Sequence, residues 1–244
     1  MTTLKVNAIE PEGATTNLTI GMTGQNVVVG GSGGLKANTF KDAGGNTLWT
    51  SNGSGVLSSV SGFGGAQVLL STQTASSSAS ISFTTGITSA YKEYVFEYIN
   101  IHPATDDVHL QFQVSTNGGS SYGVAKTTTY FYAYNEEAGG ASSGVSYQTS
   151  RDLAQSTSAQ QIASLIGNDA DASASGEFHL FNPASTTYVK HFYGTSNSYE
   201  ISTPYTINNF VGGYINTTTA INAVQFTMSS GNMDAGKIKM YGIK

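Results

Sequence analysis

Period-two alternation of apolar and polar residues is the strongest constraint in this chain. In His109-Leu-Gln-Phe-Gln-Val114, Leu110, Phe112 and Val114 fall on one side of an extended backbone, with His109, Gln111 and Gln113 on the other. Ala223-Val-Gln-Phe-Thr-Met228 repeats the pattern with Val224, Phe226 and Met228 as the apolar set. Successive side chains of a strand point to opposite faces, so the alternation describes a sheet with one face packed and one wet. Further strands are expected over Ser80–Phe83, Tyr94–Ile101, Thr127–Tyr134, Glu177–Phe181, Tyr188–Tyr193, Phe210–Ile215 and Lys237–Ile243. Asn117-Gly-Gly-Ser120 and Ser230-Gly-Asn232 lie between strand pairs and read as hairpin turns. Many short strands, four prolines and no long helical pattern predict an all-β fold, an antiparallel β-sandwich or jelly roll. Asp152–Ile166, with Leu153, Ile162, Leu165 and Ile166 among Gln, Ala and Ser, suits a short helix or a strand entering a polar loop.

The texture changes near residue 65. Upstream, apolar positions come in scraps: Leu4 and Val6, Leu18 and Ile20, Val27 and Val29, Leu48, then Val56 and Val60. Between them stand the Gly30-Gly-Ser-Gly-Gly34 cluster, Gly44-Gly45 and Asn52-Gly53, pairs that tolerate the positive φ of tight reversals. Strands this short are marginal alone and need a neighbour, for which another copy of the chain suffices. Residues 30–34 also fit a flexible Gly/Ser linker. The expected organisation is therefore a stem over residues 1–65, built from short strands that lean on another copy of the chain, followed by a β-sandwich body over residues 66–244. Fibres and adhesins are built on that plan.

Composition narrows the function classes. Charged residues make up 10% of the chain, far below the ~25% of an ordinary domain. Hydrophobic residues at 39% and aromatics at 11% argue for folding over disorder. A net charge of −5, with basic residues scattered, lacks the electrostatic footprint of a nucleic-acid binder. There is no cysteine, which excludes a disulfide frame, a cysteine-ligated zinc site and a thiol nucleophile. The N-terminus lacks the pattern of a signal peptide, and no run approaches the ~20 apolar residues of a membrane span.

Signs of catalysis are sparse. No histidine stands in a diagnostic pattern, and no Gly-x-Ser-x-Gly occurs between a strand and a helix. The Gly30–Gly34 cluster lacks the Lys-Ser/Thr of a phosphate loop. His179 and His191, each mid-strand, could share a metal or serve as half-buried packing residues. Asn168-Asp-Ala-Asp171 offers three oxygen-bearing side chains but lacks the later Glu and the glycine of a calcium loop; a solvated loop is the plainer reading. Asp106-Asp107 reads as a turn. No enzyme activity, cofactor or metal is expected. Tyr130, Tyr132 and Tyr134 fall on one face of a strand, with Phe131 and Ala133 on the other. Such a row is a candidate contact patch for sugars, and equally a core or interface element. Tyr199 and Tyr205, expected in a loop with Pro204, are further candidates.

Several phrases resemble a known class of proteins. The opening Leu4-Lys-Val-Asn-Ala-Ile-Glu10 with Asn17-Leu-Thr-Ile-Gly21 resembles the start of fibre and appendage proteins of tailed bacteriophages, notably phages of marine bacteria and cyanobacteria. Lys41-Asp-Ala-Gly-Gly-Asn-Thr-Leu-Trp-Thr-Ser-Asn-Gly-Ser-Gly55 is similar to their repeated stem phrase. Ala220–Gly231 followed by Gly236-Lys-Ile-Lys-Met-Tyr-Gly-Ile243 is similar to their C-terminal hairpin. The resemblance implies a homotrimeric virion component assembled in the host cytoplasm, held to tail or capsid proteins by its N-terminal stem. Its distal domain would then face a host surface glycan as a short tail fibre or receptor-binding appendage. A capsid-decorating fibre or a tail adaptor that recognises no host is the alternative. The phrases are packing and turn motifs, so no catalytic residue follows from them.

Overall fold

The computed structural model describes residues 39–41, 44–51, 57–58, 66–139, 142–200 and 204–244. The expectations for Leu4 to Val29, the Gly30–Gly34 cluster, Asn52-Gly53, Val56 and Val60 lie outside them. The chain divides into two compact units, Met1–Phe63 and Gly64–Lys244.

In the first unit, β1 (Thr39–Lys41), β2 (Thr47–Ser51) and β3 (Leu57–Ser58) form an antiparallel sheet in that order. The phrase Asn46–Thr50 supplies its central strand, with Gly45 at φ +81° in the preceding turn.

The second unit is all-β, and no helix occurs among the described residues. Its strands are β4 (Gln67–Thr74), β5 (Ile81–Phe83), β6 (Glu93–Pro103), β7 (Val108–Ser115), β8 (Lys126–Glu136), β9 (Ser143–Tyr147), β10 (Gln160–Ile166), β11 (Ala174–Phe181), β12 (Lys190–Glu200), β13 (Tyr205–Ile215), β14 (Ala223–Met228) and β15 (Met233–Ile243). They form a long sheet, β4-β15-β6-β11-β12-β13-β8-β9, and a short one, β10-β7-β14-β5, both antiparallel. The ambiguous stretch after Asp152 resolves into a loop and then β10, the strand of the two possibilities named.

The two expected hairpin turns are corners between sheets. Ser120 N–H donates to Asn117 O, so the chain does reverse there. Yet β7 pairs β10 and β14, whereas β8 pairs β13 and β9. The turn after β14 likewise leads from the short sheet to β15 in the long one. Alternation marks a strand but carries no label for the sheet that takes it. At the first corner the Ser115 hydroxyl accepts from the N–H groups of Asn117 and Gly119 at 3.1 and 3.0 Å. Gly118 and Gly119 adopt φ +71° and +87°, which a residue with a Cβ resists.

The two sheets meet through their inward residues. Phe83, Phe96, Phe112, Phe178, Phe192 and Phe226 interlock at one end, with Phe112 and Phe178 centroids 4.3 Å apart and Phe96 and Phe226 5.5 Å apart. At the other end β10 crosses over β12 and β13, and the contacts turn polar. Asn209 accepts at Oδ1 from the Tyr130 hydroxyl (2.7 Å) and the Ser164 hydroxyl (2.6 Å). Its amide donates to Ser196 Oγ and Ser198 Oγ, whose own hydroxyls donate to Ile162 O and Ser164 O. All of these side chains are buried. Each finds a partner, as burial of polar groups demands.

Two lysines are buried as well. Lys190 Nζ donates to Thr217 O and Thr219 O at 3.0 and 2.8 Å, tying the β13–β14 loop to β12. Lys126 Nζ donates to Val124 O at 3.0 Å and lies 6.0 Å from the Phe112 ring; burial pulls its pKa down to about 8.

Candidate ligand-binding face

The long sheet has an outer face turned away from the short sheet, and its side chains follow from the strand alternation. On β12, Phe192 and Gly194 point inward and Tyr193 and Thr195 outward; on β13, Val211 points inward and Phe210 and Gly212 outward. On β8 the outward set is Thr129, Phe131 and Ala133. Cross-strand pairing sets Tyr193 beside Gly212, Gly212 beside Thr129, and Phe210 beside both Thr195 and Phe131.

This register builds two aromatic stacks flanking a gap. Phe131 and Phe210 lie parallel, centroids 4.9 Å apart with a 10° interplanar angle. Tyr193 stacks on His179 at 4.4 Å and 12°. Tyr193 is 45% exposed and Phe131 40%. One side of the Tyr193 ring is covered by His179, so its other side overlooks Gly212. A Cβ at Gly212 would meet only ordinary contacts, Phe192 O at 3.7 Å and Tyr193 Cβ at 3.9 Å. The missing side chain leaves a trough of about 370 Å³ lined by Thr129, Phe131, Tyr193, Thr195, Phe210 and Gly212.

Carboxylates flank the aromatic row. His179 Nδ1 and Glu93 Oε1 are hydrogen-bonded at 2.6 Å, and Nε2 faces Glu177 Oε1 at 3.4 Å without a hydrogen bond. Farther along, Glu97 Oε2 accepts from Lys239 Nζ at 3.2 Å and from the Tyr241 hydroxyl at 3.1 Å. Partial burial, then Glu93 and Glu177, hold the Tyr193 phenol above its ordinary range. The face therefore offers aromatic surface and hydroxyls in a negatively biased setting.

The tyrosines singled out in the sequence are placed differently. Tyr130 is fully buried under β10, its hydroxyl committed to Asn209, and burial raises its pKa to about 12. The expected surface row is corrected there: the tyrosine face of β8 points into the sandwich and the Phe131 face points out. Tyr132 and Tyr134 continue along the inner face, half-buried, with ring centroids 5.8 Å apart and edge-on. Tyr205 joins them at 5.6 Å from Tyr134 and donates its hydroxyl to Ser142 Oγ. The Arg151 guanidinium lies 5.5 Å from the Tyr132 ring. Tyr199 stands on the opposite face from Tyr205, opposite Thr206 in the pairing, and donates to Glu137 Oε2 at 3.4 Å. Three of the five thus cluster, and Tyr130 and Tyr199 do not join them.

His179 and His191 share the outer face, but each is engaged with aromatics, His179 with Tyr193 and His191 with Tyr214 at 6.4 Å. In the Asn168–Asp171 loop, Asn168 N–H donates to Asp106 Oδ1 and Ala172 N–H to Asp169 O. Among the described residues, no group of three His, Cys, Asp or Glu is placed to hold a metal ion. Sequence reasoning passed over Tyr193, Phe210 and Gly212. Their signal was present as Phe192-Tyr193 and Phe210-Val-Gly-Gly213, aromatic residues alternating around a bare backbone. No family model matches the chain, nor does any curated protein or solved structure.

Proposed function

We propose that this chain is an attachment component of a tailed-phage particle, a short tail fibre that works by binding. The observation that carries the reading is the exposed aromatic trough on the outer face of the long sheet, a recess suited to contact with a partner. The sequence phrases resembling phage fibre proteins supply the virion setting. In this reading residues 1–65 mount the chain on the particle as a homotrimer and the β-sandwich body meets the host surface. Weak sites multiplied over three subunits and several fibres give strong attachment through avidity.

The test is direct. Purified protein should be trimeric by light scattering and should bind host cells, and immunogold labelling should mark the tail. Removal of residues 1–65 should leave a β-rich body by circular dichroism that no longer enters particles. Gold on the capsid instead of the tail would turn the reading towards a decorating fibre. A monomer that binds no cell would end it.

A further inference from the structure

We infer that the trough over Gly212 binds an uncharged sugar ring, a neutral or N-acetylated hexose unit of a surface polysaccharide; this rests on the attachment reading above. Four features select that chemistry. The free side of Tyr193 and the Phe210–Phe131 stack present aromatic surface, on which the apolar C–H face of a pyranose packs. Thr195 and the Tyr193 hydroxyl lie beside these rings and supply hydrogen bonds for sugar hydroxyls, and the Thr129 hydroxyl, which donates to Gly212 O at 3.4 Å, can accept one. At about 370 Å³ the recess falls within the range of small-molecule sites. No charged side chain lines it, while Glu93 and Glu177 flank Tyr193 from the His179 side, so a uronate or sialate would meet repulsion.

A second copy of the chain fits the same face less well. Laid on this row, it would desolvate the Glu93 and Glu177 carboxylates that flank it. It would also span a recess instead of filling it.

Gly212 provides the cleanest variant. Its φ is not positive, its side-chain direction points outward, and an added Cβ meets no close contact. Gly212→Val should therefore fold, since a β-branched residue suits a strand, while filling the floor of the trough. Full-length protein is to be applied to an array of neutral, N-acetylated and uronic-acid oligosaccharides at low and high salt. Gly212→Val and Tyr193→Ala are run alongside, with thermal melting as the fold control. The expected result is weak binding of neutral or N-acetylated sugars, insensitive to salt, that falls about tenfold or more in both variants while the melting temperature of Gly212→Val holds. Absence of neutral-sugar binding by the parent protein would overturn the inference. So would unchanged binding in both folded variants, or a salt-sensitive preference for uronic acids. Self-association abolished by Tyr193→Ala, with no sugar bound, would assign the face to a contact between copies and overturn it too. Protein that binds the sugars but not host cells would remove the attachment reading alone and leave the site standing.

Discussion

The two ends of the sandwich core are filled by different chemistry. Around β6, β7, β11 and β14 the interior is phenylalanine on phenylalanine, with Phe112, Phe178, Phe96 and Phe226 in mutual ring contact. Under β10, beside the buried Ile162 and Ile166, hydroxyls gather on one amide, Asn209. Burial of rings is strong and tolerant of small shifts. The amide hub is directional: the Ser164 bond to Asn209, with the Ser196 and Ser198 bonds to Ile162 O and Ser164 O, is made in only one register of β10 on β12 and β13. The aromatic end thus supplies cohesion, and the polar end specifies which arrangement is kept.

The sharpest way to break this contrast is to empty each end in turn. Phe178→Ala should cost about 3–5 kcal/mol, read as a lower denaturant midpoint with an unchanged slope. Asn209→Ala should cost less, roughly 1–3 kcal/mol, because the Tyr130 and Ser164 hydroxyls lose a buried acceptor. Its mark should be qualitative as well: faster amide exchange along β10 and a shallower denaturant slope, as the register loosens. Equal losses with unchanged exchange in β10 would erase the distinction between the two ends.

A smaller effect sharpens the same point through pH. His109 Nδ1 accepts a hydrogen bond from Leu165 N–H at 3.0 Å, so the folded state holds the neutral ring. Leu165 adopts φ +55° where the β10 register shifts, a strained backbone that this bond pins. Burial first, and the Arg151 charge second, push the His109 pKa down to about 4 from an ordinary 6.5. As the folded pKa is the lower one, the unfolded chain takes up a proton below pH 6.5 that the folded chain refuses. The His109 contribution is then complete above about pH 6.5 and drains away towards about pH 4. Melting temperatures across this range should fall for the parent and fall less for His109→Gln. Parallel curves would show that His109 takes no part.

Much of the body was legible beforehand, because alternation is local and nine expected strands fall on β5 to β8 and β11 to β15, although β12 runs on to Glu200 and β13 starts at Tyr205, well beyond the expected bounds. What remained hidden was decided at long range. Strand β8 carries aromatics on both faces, Tyr130 on one and Phe131 on the other. Which face turns inward depends on where β10 docks, and β10 came from the one stretch whose pattern left helix and strand open. The two corners were misread for a related reason, since Asn-Gly and Gly-Gly reversals serve a hairpin and a change of sheet alike. The trough itself is a product of register: Gly212 opens a gap only because Tyr193 stands beside it on the next strand.

The long sheet begins and ends in one place. Strand β4 occupies its edge and pairs with β15 alone; Gln67 lies opposite Ile243, and Lys244 N–H donates to Ala66 O. Any mechanical load entering the body from the N-terminal side passes through this single ladder. Pulled along its length, β4 shares the load among all its rungs in shear and yields only when many give way together. Pulled sideways, the same strand unzips one rung at a time. The resilience of this ladder is therefore a matter of pulling angle, and it is measurable by stretching single molecules from two attachment points.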